Sequence, residues 1–144
     1  MHAEIVVIGT ELLLGQIIDT NAAYLAQQLS SIGVNLFYKS TVGDNRGRMI
    51  ETLKRAVERS DIVITTGGIG PTLDDMTRET VAEVLGVELE LKPHLLEQIK
   101  RMMGSRYTDN NARQAHIPAG ALEIENPVGT APSFAAPTPR GARM

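Results

Sequence analysis

The chain opens on Ile5-Val6-Val7-Ile8, a near-continuous apolar run ending at Gly9, the pattern of a strand covered on both faces. Asp19-Thr20-Asn21 then offers several N-cap side chains ahead of Ala22, Leu25, Leu29 and Ile32, an apolar stripe at helical spacing that Gly33 ends. Val34 to Val42 reads as a second strand, with Gly43-Asp44-Asn45 as the turn after it. Met49, Ile50, Leu53, Ala56 and Val57 form the next helical face, and Ile62 to Thr66 is the third strand. Beyond a glycine loop, Thr77 is expected to cap a helix carrying Val81, Val84 and Leu85 and stopped by Gly86. Val87 to Leu91 suits a short extended piece, Pro93 the first turn of a helix over Leu95 to Met103, and Asn110 to Ala115 one further turn. Repeated strand–helix–strand units imply an α/β domain with a parallel sheet and helices on both faces. Ligands in such sheets sit beyond the carboxyl ends of the strands, which singles out the loops 9–21, 43–46 and 67–77.

Composition narrows this picture. The 144 residues suffice for one domain with a real core and are too few for two comfortable ones. Hydrophobic content is 42% and aromatic content only 3%, so the core must be aliphatic. The absence of cysteine excludes disulfides and thiolate metal sites and fits a reducing, cytoplasmic setting. A net charge of −3 with scattered basic residues does not suggest a nucleic-acid partner. No apolar run approaches membrane-spanning length, and the first residues lack the basic start and cleavage site of a signal peptide.

The chemistry concentrates in Thr66-Gly67-Gly68-Ile69-Gly70-Pro71-Thr72, followed by Asp74-Asp75-Met76-Thr77. Gly67, Gly68 and Gly70 let the backbone approach a ligand with N–H groups facing an anion, with Thr72 beside them. Asp74 and Asp75 follow at once, where they could hold a hydrated divalent cation such as Mg²⁺. Asp44, after the second strand, and Glu11, after the first, could add hard oxygen ligands. Each has a plainer reading: Asp75 as a first-turn carboxylate, Asp44 as a turn residue, Glu11 as a solvated charge, Asn21 as a helix cap. His116 has no ligating neighbours in the sequence and reads as structural, and a tight zinc site is not expected. Carboxylates holding a cation beside a phosphate-binding loop are the parts that hydrolysis of a pyrophosphate requires.

The glycine segment resembles the signature loop of the molybdopterin-binding (MoaB/Mog-like) fold. Gly9-Thr10-Glu11-Leu12-Leu13-Leu14-Gly15-Gln16 and Asp19-Thr20-Asn21 resemble the amino-terminal domain of the competence- and damage-inducible protein A (CinA) branch. Val42-Gly43-Asp44-Asn45, Ala115-His116-Ile117-Pro118 and Asn126-Pro127-Val128-Gly129-Thr130-Ala131-Pro132 are similar to it as well. The resemblance implies a three-layer α/β/α domain with a mainly parallel sheet, and acidic pocket residues at Asp44 and Asp75. It also implies two activities: metal-dependent hydrolysis of ADP-ribose, or binding of a pterin phosphate in molybdenum-cofactor synthesis. The pattern departs at Ser133, where the family carries glycine, and after Phe134 the likeness stops. Residues 1–134 are therefore expected to form a domain lacking its last strands, either weakly active or a non-catalytic remnant, and 135–144 a disordered tail. An unfinished sheet edge predicts a homo-oligomer.

Overall fold

A computed structural model describes residues 1–138 and Met144. The central element is β1 (His2–Ile8), flanked in parallel by β2 (Asn35–Val42) and β3 (Ile62–Thr66) in the order β2-β1-β3. Alternation along β1 sends Ala3, Ile5 and Val7 to one face and Val6 and Ile8 to the other, and both sets are buried. Helix α2 (Thr20–Ser31) covers the first face through Ala22, Leu25 and Leu29. Helix α3 (Arg46–Arg59), through Met49, Leu53 and Ala56, and α4 (Thr77–Leu85), through Val81, cover the second. The parallel sheet with helices on both faces is thus as the strand pattern implied. A four-residue helical turn, α1 (Thr10–Leu13), lies inside the segment read from sequence as a loop.

The remainder adds antiparallel pairs that the sequence pattern did not resolve. β4 (Leu89–Leu91) pairs with β5 (His116–Pro118), bracketing α5 (Pro93–Met103), which starts at Pro93 as its fixed φ favours. A 3₁₀ turn over Asp109–Ala115 leads into β5, and Leu95, Ile99, Ala115 and Ile117 close a third apolar cluster. β6 (Leu122–Ile124) pairs with β7 (Ser133–Ala135). The reading of 135–144 as disordered is therefore corrected at its start: Ala135 ends a strand, and Ala136 exchanges both backbone hydrogen bonds with the buried Met144. Residues 139–143 lie outside the described residues. Among the described residues no helix is long and apolar enough to cross a membrane.

At the carboxyl end of the sheet β3 runs directly into the glycine loop. Gly67 has φ +99°, and a Cβ there would lie 2.0 Å from the Ile8 carbonyl oxygen at the end of β1. Only glycine permits that approach, so the loop crosses over the neighbouring strand's end instead of rising into solvent. Gly67→Ala is expected to cost about 3 kcal/mol or more, from backbone strain and overlap together. Urea unfolding checks this; a loss under about 1 kcal/mol would show that the crossing relaxes easily.

Candidate functional site

The loops after β1, β2 and β3 converge on a cavity of about 360 Å³ beyond the strand ends. Of the candidates drawn from sequence, Glu11, Asn21, Asp44, Gly67, Gly68, Asp74 and Asp75 line it. Gly70 and Thr72 do not line it; they stand behind Asp75 and shape the loop. Asp19, Thr20 and Thr66 add polar lining, while Leu12, Ile17 and Ile18 add an apolar wall.

The aspartates among these residues are held by particular donors. Asp44, half-buried, accepts from both the N–H and the hydroxyl of Thr10 at 2.9 Å, and its own N–H donates back to that hydroxyl at 3.0 Å. The loop after β2 is thereby tied to the start of α1. Asp19 caps α2 by accepting from the Ala22 N–H at 2.9 Å and pairs with Lys39 at 2.8 Å. Burial pushes the Asp19 carboxyl up, but Lys39 and the Ala22 N–H outweigh it and hold the group below its usual range. Asn21 is therefore not the cap: its amide donates to the Thr66 hydroxyl at 3.3 Å, joining α2 to the end of β3.

Asp75 is the most constrained of the set. Its Oδ2 accepts from the Thr72 N–H at 3.0 Å and lies 2.5 Å from the Thr72 hydroxyl. The same hydroxyl lies 2.5 Å from Asp74, and its single proton serves one of the two carboxylates at a time. A Cβ on Gly70 would come within 2.5 Å of Asp75 Oδ2, so glycine leaves room for the carboxylate in this position, which any side chain there would displace. Partial burial pushes the Asp75 carboxyl up. The Thr72 hydroxyl, the Thr72 and Gly70 N–H groups and the Arg78 guanidinium outweigh that and hold it below its usual range.

Thr77 does not cap α4 as expected; Met76 occupies the N-cap position and no side chain caps it. The Thr77 hydroxyl instead donates to the Gly67 carbonyl at 2.8 Å, and its N–H to the Gly68 carbonyl at 3.0 Å. A Cβ on Gly68 would meet that hydroxyl at 2.4 Å. His116 bonds the Ala112 carbonyl through Nδ1 at 3.0 Å and is not among the residues lining the cavity. Sequence reasoning missed Arg78 and Arg113. Arg78 donates to the Ile69 and Gly70 carbonyls, and Arg113 to the Thr72 and Asp75 carbonyls and to Glu79. An arginine on the first turn of an amphipathic helix carries no pattern that separates a buried clamp from a solvated charge.

This geometry has known counterparts. A family described as "Probable molybdopterin binding domain" matches residues 4–140. A solved structure titled as the protein CinA with unknown function, from Thermoplasma acidophilum, superposes with a TM-score of 0.90 at 34% identity, covering 99% of this chain and 84% of that one. The chain belongs to the molybdopterin-binding domain family, on its CinA branch. Curated relatives named "Putative competence-damage inducible protein" share 51% identity over 137 residues in Halothermothrix orenii and 53% over 135 in Acetivibrio thermocellus. The match covers 93% and 92% of the present chain and 33% of each relative, so the chain spans about a third of the length of these CinA-branch proteins. A tungsten cofactor synthesizing protein MoaB from Pyrococcus furiosus shares the fold, with a TM-score of 0.56 at 19% identity over 92% of this chain and 78% of that one.

The acidity of Asp75 gives this CinA-branch domain a defined pH response. A carboxyl depressed in the folded state contributes stability that is fully present above its unfolded pKa of about 4 and is lost as pH falls through the lower folded value. Asp75→Asn is expected to lower stability at neutral pH and to flatten the acid limb of the urea midpoint below about pH 4. An unchanged acid limb would show that the carboxylate gains nothing from its donors.

Proposed function

We propose that this domain binds a pyrophosphate-bearing small molecule of the nucleotide-sugar class, such as ADP-ribose, together with a divalent cation, and hydrolyses it. One observation carries the reading. The residues lining the cavity include five carboxylates, Glu11, Asp19, Asp44, Asp74 and Asp75, and no lysine, arginine or histidine. A phosphate entering alone would meet like charge throughout, at about 1 kcal/mol per charge pair at 4 Å even in water and more in a partly closed cleft. Yet the same cavity contains Gly67 and Gly68, and the Gly68 N–H makes no hydrogen bond among the described residues. An anion-facing amide within an acidic cup suits a ligand that brings its own cation.

The donor set is compatible with such a cation. Among the described residues no three aspartate, glutamate or histidine side chains are grouped closely enough to cage a metal. Mg²⁺ commonly takes only one or two carboxylates, keeping waters and substrate phosphate for the rest. Asp75, Asp44 and Asp74 are the residues that would hold it, and when bound it would supply charge neutralisation and a more acidic water. The chain's own work is positional. Thr10 fixes Asp44, Thr72 fixes Asp75, the glycine loop receives phosphate oxygen, and Leu12, Ile17 and Ile18 offer apolar contact at the rim.

A second reading, binding of a pterin phosphate, is supported by the description of the family itself. It makes the same demands on the glycine loop and differs in lacking turnover. Association of copies belongs to either reading, since β3 has a paired neighbour on one side only among the described residues.

ADP-ribose turnover is expected to require Mg²⁺ or a similar ion, and Asp75→Asn is expected to lower it by about 10² or more with the melting midpoint at neutral pH falling by only a few degrees. Release of AMP and ribose 5-phosphate, the two products of cleaving the pyrophosphate bond, and circular dichroism check the two arms. Mg²⁺-dependent turnover that Asp75→Asn leaves untouched would remove Asp75 from the site. Ligand binding without turnover would favour the pterin-phosphate reading.

A further inference from the structure

The glycine loop owes its orientation to a residue outside the cavity. Arg78 is 1% exposed, a guanidinium buried in the first turn of α4. Its Nη1 donates to the Ile69 carbonyl and its Nη2 to the Gly70 carbonyl at 2.7 Å, while its buried Nε has no hydrogen-bond partner among the described residues. Burying a charge is costly unless its hydrogen bonds are strong, and here those bonds go to two consecutive loop carbonyls. Thr77 takes the two preceding carbonyls, of Gly67 and Gly68. Every carbonyl from Gly67 to Gly70 is thus drawn toward α4.

A trans peptide places its N–H opposite its C=O, and the described residues contain no cis bond. The captured carbonyls of Gly67, Gly68 and Ile69 therefore turn the N–H groups of Gly68, Ile69 and Gly70 away from α4. The Gly68 N–H is left free on a residue lining the cavity, and the Gly70 N–H faces the Asp75 carboxylate. The Gly70 carbonyl precedes Pro71, which has no N–H, so its bond to Arg78 holds the turn leading to Thr72 and Asp75.

Resting on the proposed phosphate reading, we propose that Arg78 is the positioning residue of this site. Its guanidinium holds the Ile69 and Gly70 carbonyls on the α4 side, so that the loop amides and Asp75 are set for a cation-borne phosphate before ligand arrives. Arg78 touches no ligand in this account. It acts through the loop, and the cost of ordering the loop is met on folding and not on binding.

The test uses the full 144-residue chain, with Mg²⁺-pyrophosphate as the probe and calorimetry as the readout. Arg78→Met is expected to weaken the parent's Kd about tenfold or more. Guanidinium chloride at about 20 mM, far below denaturing levels, is expected to restore most of that loss, where NaCl at equal strength does not. Arg78→Lys, which keeps the charge but loses the two-pronged geometry, is expected to fall between, and it carries the same comparison if Arg78→Met does not fold. A parent that binds and an Arg78→Met or Arg78→Lys that binds within twofold would overturn the proposal and leave the phosphate reading intact. So would weakened binding that follows the melting midpoint with no response to guanidinium, which marks a merely structural role. A parent that fails to bind the probe would overturn the phosphate reading, and the positioning role with it.

Discussion

The missing side chain of Gly67 governs everything at the working end of this domain. Its hydrogen lies where any Cβ would press into the Ile8 carbonyl, so the chain leaving β3 folds over the end of β1. That crossing lays the loop after β3 against the loop after β1 and brings both within reach of the loop after β2. Helix α4 can then begin beneath the loop, with Thr77 and Arg78 facing its carbonyls. A loop rising into solvent would have carbonyls bonded to water, and its amides would have no fixed direction.

Charge explains why the site takes this form. Parallel strands gather loops at one end of the sheet, and here those loops carry acids. Three of these acids are held by local donors: Thr10 for Asp44, Lys39 and Ala22 for Asp19, Thr72 for Asp75. Those donors hold the Asp19 and Asp75 carboxyls below their usual range. The same donors occupy some of the lone pairs that a cation would use. This favours a loosely held, ligand-dependent cation over a resident one.

The strands and helices around the parallel sheet were legible because their signals are strong. β1 is apolar on both faces, α2 and α3 carry regular stripes, and Gly33 and Gly86 stop helices with φ of +76° and +71°. The glycine loop and its acids were legible as a motif, but the division of labour among them was not. Gly67 and Gly68 line the cavity, while Gly70 makes room for Asp75; no sequence rule distinguishes these uses. Thr77 looked like a cap because threonine before an apolar stripe usually is one, yet the long-range bond to Gly67 prevailed. Asp19 was one of three adjacent cap candidates, and only the structure separates it from Asn21. The antiparallel pairs β4–β5 and β6–β7 were hidden because three-residue strands have no measurable period.

The central claim is that phosphate and cation enter the cavity together. It is tested most directly by following the backbone amide resonances of Gly67, Gly68 and Gly70 in ¹⁵N-labelled protein during three titrations. These use pyrophosphate with EDTA, Mg²⁺ alone, and pyrophosphate with Mg²⁺. The account predicts small shifts in the first two and large, saturating shifts confined to these amides and their cavity neighbours in the third. Saturating shifts of the same amides by pyrophosphate in EDTA would contradict it.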